Sequence, residues 1–107
     1  MVRDFTATGE VLTVDRFGNV QLSVTAADAA GIGVKPGSTV LMRLGHRRLQ
    51  VPYRDTFGAV PDGELVVYTD SAGLVSVAVN GGNAAQRLGL PPGAQISITA
   101  APQSIHL

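Results

Sequence analysis

Two stretches of this chain carry the same pattern, and that repetition limits the fold more than any other feature. Asp15-Arg16-Phe17-Gly18 leads into Asn19-Val20-Gln21-Leu22-Ser23-Val24-Thr25, and Asp70-Ser71-Ala72-Gly73 leads into Leu74-Val75-Ser76-Val77-Ala78-Val79-Asn80. Asp stands over Asp, Gly over Gly, and apolar residues over apolar residues at alternate positions. The match extends both ways, from Gly9-Glu10-Val11-Leu12 and Gly63-Glu64-Leu65-Val66 to Gly33-Val34-Lys35-Pro36-Gly37 and Gly89-Leu90-Pro91-Pro92-Gly93. The repeats run over about 9–43 and 63–98. Two copies cannot make a solenoid, which needs about three units to bury its core. The repetition therefore predicts a pseudo-twofold arrangement within one domain spanning residues 1–107, with the two Asp turns at equivalent places about the axis.

Local pattern says what each copy is made of. Val20, Leu22 and Val24 alternate with Gln21 and Ser23, as Val75, Val77 and Val79 alternate with Ser76 and Ala78, which is the period of a half-buried strand. Phe5-Thr6-Ala7-Thr8 and Val11-Leu12-Thr13-Val14 read as one bent strand or two short ones around Gly9-Glu10. Residues 39–44 and 47–51 form a hairpin, because Gly45-His46 places glycine first in a two-residue loop, as a type II′ turn requires. Residues 64–68 and 95–99 give two more strands. Thr25 and Asn83 are N-caps for one or two helical turns each, and Gly89 stops the second. Residues 52–62 follow neither period and read as a long ordered loop joining the copies. About seven short strands without βαβ spacing predict an all-β fold, a small closed or nearly closed Greek-key-like barrel with two helical turns.

Composition removes several functions. Formal net charge is zero and only 15% of residues are charged, so no field holds a nucleic-acid backbone, and five aromatics on no basic face do not build a single-strand platform. There is no cysteine, hence no disulfide or thiolate site. No apolar run approaches the roughly 18 residues of a membrane helix, and the first residues lack a signal-peptide core, so a cytoplasmic protein is expected. His46 at a hairpin tip and His106 in the tail do not form a metal pair, and Ser71 has neither a base beside it nor a Gly-x-Ser-x-Gly elbow. No catalytic residue, metal or resident cofactor is assigned.

What remains is binding chemistry. An Asp-x-x-Gly turn usually serves only its own backbone. Phe17 beside Asn19, however, sets an aromatic face next to an amide able to donate and accept, which suits a planar heterocycle such as adenine. Asn80-Gly81-Gly82-Asn83 exposes backbone amides before a helix, although no Gly-Lys-Ser/Thr follows to make a phosphate loop. Against both stand plainer readings: Phe17 in the core, and Asn80 to Asn83 as a capped turn. The cluster His46-Arg47-Arg48 reads as an edge that discourages strand pairing.

Taken in order, Asp15-Arg16-Phe17-Gly18-Asn19-Val20-Gln21-Leu22, Thr56-Phe57-Gly58, Tyr68-Thr69-Asp70-Ser71-Ala72-Gly73, Ala78-Val79-Asn80-Gly81-Gly82-Asn83-Ala84-Ala85 and Leu88-Gly89-Leu90 make a combination more specific than its parts. It resembles the C-terminal domain of the S-adenosyl-L-methionine hydroxide adenosyltransferases, a superfamily that includes the fluorinating and chlorinating enzymes. The resemblance implies that Phe17 and Phe57 pack on a ligand, adenosine or S-adenosylmethionine. It further implies that Asn19 and the backbone at Asn80 and Gly81 meet the adenine edge, and that Ser71 meets the methionine end. It implies a homo-oligomer, a trimer in the family, or a separate protein supplying the N-terminal domain. That domain, which holds the groups positioning water or halide, has no counterpart in these residues, so the chain is not expected to complete the reaction alone. Three positions depart from the pattern: Ala72 and Val79 stand where halogenating members carry Arg, and Ser23 where hydrolases often carry Asn. These departures motivate the rival expectation of a structural or oligomerisation barrel that has lost its ligand.

Overall fold

The alternating Val, Ile and Thr positions form strands throughout the computed structural model, which describes residues 2–3 and 5–102. In chain order the strands are β1 (Val2–Arg3), β2 (Thr6–Val14), β3 (Val20–Thr25), β4 (Thr39–Leu44), β5 (Arg47–Pro52), β6 (Leu65–Thr69), β7 (Leu74–Val79) and β8 (Gln95–Ala100). Helix α1 (Ala26–Gly31) follows β3, helix α2 (Ala84–Leu88) follows β7, and a single 3-10 turn occupies Phe57–Ala59. Both helices start where a side chain caps them: Thr25 accepts from the Asp28 amide and Asn83 from the Gln86 amide. Gly89 ends α2 in the left-handed region at φ 67°. The hairpin turn likewise has Gly45 at φ 62°.

Seven strands follow the order β5-β4-β8-β2-β3-β7-β6, and β1 extends the sheet beside β2. Every strand pair is antiparallel. The ends of this path meet where Tyr53 bridges Val67 in the parallel sense and the Arg54 amide donates to the Val67 carbonyl at 2.9 Å. The result is the nearly closed all-β barrel expected. Its interior is filled from both copies by Val20, Leu22, Val24, Val40, Met42, Val75, Val77, Ile96 and Ile98, all buried. Each contributes about 1.5–3 kcal/mol of transfer free energy against the entropy of ordering the chain.

Register supports the pseudo-twofold reading. Gln21 pairs with Ser76, and these two occupy the same place in the two copies, so β3 and β7 cross about a local twofold. On the opposite wall β4 pairs with β8. The symmetry is broken at one place: β2 abuts β8, whereas β5 separates β4 from β6. Tyr53, 1% exposed, closes that extra seam with a 2.5 Å hydrogen bond between its hydroxyl and that of Thr69. Removing only this hydroxyl, in Tyr53→Phe, is expected to lower unfolding free energy by about 1 kcal/mol, read from urea denaturation with an unchanged m-value.

Four features differ from the sequence expectation. A first strand pairs Val2 with Ala7 and Arg3 with Thr6 where none was predicted. Residues 6–14 form one strand, the first of the two readings, but its irregularity is a register shift between Val11 and Thr13 rather than a bend at Gly9-Glu10. On β7 the face of Ser76 and Ala78, where only close packing at the small Ala78 was expected, is buried as fully as the valine face. The joining loop covers Ala78 by laying Val60 against it, Val66 and Tyr68 on the outer face of β6 and β7, while the Ser76 hydroxyl donates to Asp70. Arg47, finally, is not a bare edge charge, since its guanidinium donates to the Leu88 carbonyl at the end of α2. The expectation for His106 lies outside the described residues.

Candidate functional site

Both Asp turns are built by the same bonds. Asp15 Oδ1 accepts from the amides of Phe17 and Asn19, each at 2.9 Å, and Asp70 Oδ1 accepts from those of Ala72 at 2.9 Å and Leu74 at 3.1 Å. The backbone closes each turn in the same way, with Gly18 N donating to Asp15 O and Gly73 N to Asp70 O, at 2.9 and 3.0 Å. Each turn is then fastened to the helix of the other copy. Ala85 N, in the first turn of α2, donates to Gly18 O at 3.0 Å, and Ala26 N, at the start of α1, donates to Gly73 O at 2.9 Å.

The first of these contacts makes a site. β7 ends at Val79, and Gly81 turns the chain at φ 74° toward the Asn83 cap, which lies directly against Gly18. Gly82 lets the chain pass close over Val79, for a Cβ there would stand 2.7 Å from a Val79 methyl. The joining loop brings Phe57 to the same place, edge-on to Tyr68 with ring centroids 6.1 Å apart. Phe17, Asn19, Phe57, Val79, Gly81 and Gly82 thereby line one cavity of about 400 Å³. Its aromatic walls stand open, Phe17 being 62% and Phe57 49% exposed, and the Arg16 guanidinium lies over the Phe17 ring at 4.8 Å.

Of the residues expected to bind, four line the cavity. Asn80 stands beside it, with its side-chain amide donating to the Val60 carbonyl at 2.8 Å and its backbone paired to Glu64 and Gly63, so it secures the joining loop. Ser71 is exposed on the second turn and is not among the lining residues. Gly82, in the stretch read as exposing backbone amides, lines the cavity as well, whereas sequence reasoning missed Val79 as lining and Tyr68 as the support of Phe57. Alternation on β7 marked Val79 as core, and nothing local tied Tyr68 to Phe57. None of the six lining side chains titrates, so the cavity wall offers contact surface and no group that moves a proton. Among the described residues no three His, Cys, Asp or Glu side chains gather as a metal site.

The two aspartates diverge in what their second oxygen does. Asp70 Oδ2 accepts from Gln21 Nε2 and from the Ser76 hydroxyl, both at 2.9 Å, clamping β3 to β7. Burial pushes the Asp70 carboxyl up, but these bonds with the Leu74 and Ala72 amides outweigh it and hold the group below its ordinary 3.8. Tyr68 moves the other way: burial raises its hydroxyl, Asp15 and Asp70 add to the effect, and a bond with Ser76 opposes it. Asp15 Oδ2 instead accepts from Asn19 Nδ2 at 3.0 Å, at the cavity wall.

Residues 9–97 match the family described as SAM hydroxide adenosyltransferase C-terminal domain. The chain belongs to that family. Among relatives of this C-terminal domain, an (R)-S-adenosyl-L-methionine hydrolase from Salinispora arenicola is 50% identical over 93 residues, covering 87% of this chain and 33% of the relative. One from Thermus thermophilus is 44% identical over 90 residues, covering 84% and 31%. An uncharacterized conserved protein from Thermotoga maritima, known from a crystal structure, superposes with a TM-score of 0.88 at 36% identity, over 92% of this chain and 37% of that one. The chain thus spans about a third of the length of the curated relatives it matches. No helix among the described residues is long and apolar enough to cross a membrane.

Proposed function

We propose that this SAM hydroxide adenosyltransferase C-terminal domain supplies the adenosine-binding wall of a site for S-adenosylmethionine hydrolysis. The reading is carried by one observation: two exposed aromatic rings and an amide meet two glycines around a cavity of about 400 Å³. That volume falls within the range of small-molecule sites. Phe17 and Phe57 offer faces for a purine, and Asn19 with the backbone at Gly81 offers polar contact to its edge. In the reaction a water oxygen bonds to the ribose C5′ as the C5′–S bond breaks. The electron pair stays on sulfur, the water loses a proton, and adenosine and methionine leave. Holding C5′ in line with water dominates such a displacement, so a wall without a titrating group still contributes to the rate. The groups that place the water come from another domain or chain, which also covers the open side of the cavity, in a homo-oligomer or with a separate partner.

The test is a titration of this chain with adenosine and with S-adenosylmethionine, followed by amide shifts in its nitrogen-correlated NMR spectrum. Because the half-site leaves ligand surface in water, binding is expected to be weak, on the order of millimolar. Shifts should centre on Phe17, Asn19, Phe57, Gly81 and Gly82. Phe17→Ala should weaken binding by roughly tenfold, the loss of one stacking face, with little change in melting temperature. Absence of shifts at those residues with millimolar ligand, in a folded sample, would leave only the scaffold reading. Light scattering then distinguishes a self-associating barrel from one that needs a different partner.

A further inference from the structure

We propose that Asp15 sets the hydrogen-bonding polarity of the cavity, and so makes it select a nucleoside whose base edge donates, adenosine, over one whose edge accepts, inosine. This rests on the nucleoside-binding reading above. Taken alone, the Asn19 amide has a donor end and an acceptor end of nearly equal shape and could present either. Asp15 removes the choice. A carboxylate can only accept, and its Oδ2 lies 3.0 Å from the Asn19 side chain, so the NH2 end must turn to it. The Asn19 carbonyl oxygen is left as the end available to a ligand, and Asn19 lines the cavity together with Phe17 and Gly81.

The same carboxylate cannot easily move to release the amide. Its Oδ1 is held by the Phe17 and Asn19 backbone amides at 2.9 Å, so the turn that shapes the cavity also fixes the orienting group. The twin turn shows that this is a separate use of the aspartate. Asp70 makes the same two backbone bonds, yet its second oxygen is taken by Gln21 and Ser76 and faces no cavity side chain. Asp15 is therefore a positioning residue: it acts on the ligand through Asn19. An exocyclic amino group on a base bonds to the carbonyl that Asn19 presents, whereas an exocyclic carbonyl there sets two acceptors against each other. A site that bonds one and not the other discriminates because the mismatched pair sets two acceptors face to face without a bond.

Asp15→Asn tests this with little change of shape. The new side chain keeps an oxygen for the two turn amides and places an NH2 where Oδ2 was, so the Asn19 amide turns over and presents its own NH2. The unaltered chain is expected to bind adenosine roughly tenfold more tightly than inosine, and Asp15→Asn to bring the two within about threefold or reverse them. Asn19→Ala should abolish the preference without reversing it. If adenosine binds the unaltered chain and the ratio is the same in Asp15→Asn, the proposal is wrong while the binding reading stands. If neither nucleoside binds, the binding reading falls, and the ligand-free spectrum decides the orientation. The Asn19 side-chain NH2 signals should shift, and exchange faster with water, in Asp15→Asn, because the bond to Oδ2 is lost. Signals unmoved by that change overturn the orienting role.

Discussion

Gly18→Ala is expected to destabilise the barrel by about 3 kcal/mol, whereas Gly73→Ala, at the equivalent place in the second turn, should cost about 1 kcal/mol. Both glycines sit in the left-handed region, at φ 83° and 78°, where a Cβ strains the backbone. Only Gly18 has a neighbour: a Cβ built there would lie 2.1 Å from the Asn83 side chain, while nothing stands within 4 Å of one at Gly73. Asn83 cannot withdraw without giving up the α2 cap, so the clash is relieved by opening the contact between the first turn and α2. Because that contact holds the turn carrying Phe17 and Asn19 against the chain that follows Gly81 and Gly82, Gly18→Ala should lose nucleoside binding along with stability. Paired urea denaturation curves measure the difference. Equal costs for the two variants would show that Asn83 and Gly18 are not in contact.

The second large effect is at Asp70. Asp70→Ala removes one acceptor from two backbone amides and two side chains, and one of the donors left behind, Ser76, is only 2% exposed. Water can rebond the turn amides but has little access to that hydroxyl. The loss is therefore expected at about 2–3 kcal/mol, within the range for leaving a buried donor without its charged partner. The pH dependence has a definite sign. The folded carboxyl is held below its ordinary 3.8, so the folded state binds fewer protons than the unfolded chain in that range. The stability contributed by Asp70 is fully present above about pH 4 and is lost as the pH falls through the folded value. Asp70→Asn should flatten the acid limb of the stability curve below the ordinary carboxylate value of 3.8, measured by thermal melting as the pH is lowered. An acid limb unchanged in Asp70→Asn would mean that other carboxylates carry it.

Most of the barrel could be read from local chemistry. Alternation placed β3 and β7, a glycine-first loop placed the β4–β5 hairpin, and Thr25, Asn83 and Gly89 marked the starts of both helices and the end of the second because each acts within three or four residues of itself. The turn residues Phe17 and Asn19 were legible for the same reason. What could not be read depends on segments far apart in sequence. Val60 covers Ala78, Gln21 bonds Asp70, and Tyr68 supports Phe57, and no period or spacing connects these pairs. At Ala78 only room for close packing could accordingly be read, and nothing marked Ser76 as buried. The amide of Asn19 carried a subtler ambiguity: its residue type allows donor or acceptor, and only the position of Asp15 chooses.

The crossed fastening of the turns has a consequence for how such a chain can be divided. Ala85 holds Gly18 and Ala26 holds Gly73, so each repeat carries both the carbonyl that is gripped and the amide that grips, and satisfies neither by itself. An isologous dimer interface has this form, in which one patch is complementary to itself about a twofold. The barrel is in this respect a homodimer written into a single polypeptide. The seam strand β5, which has no counterpart in the second repeat, is what makes its two halves no longer interchangeable.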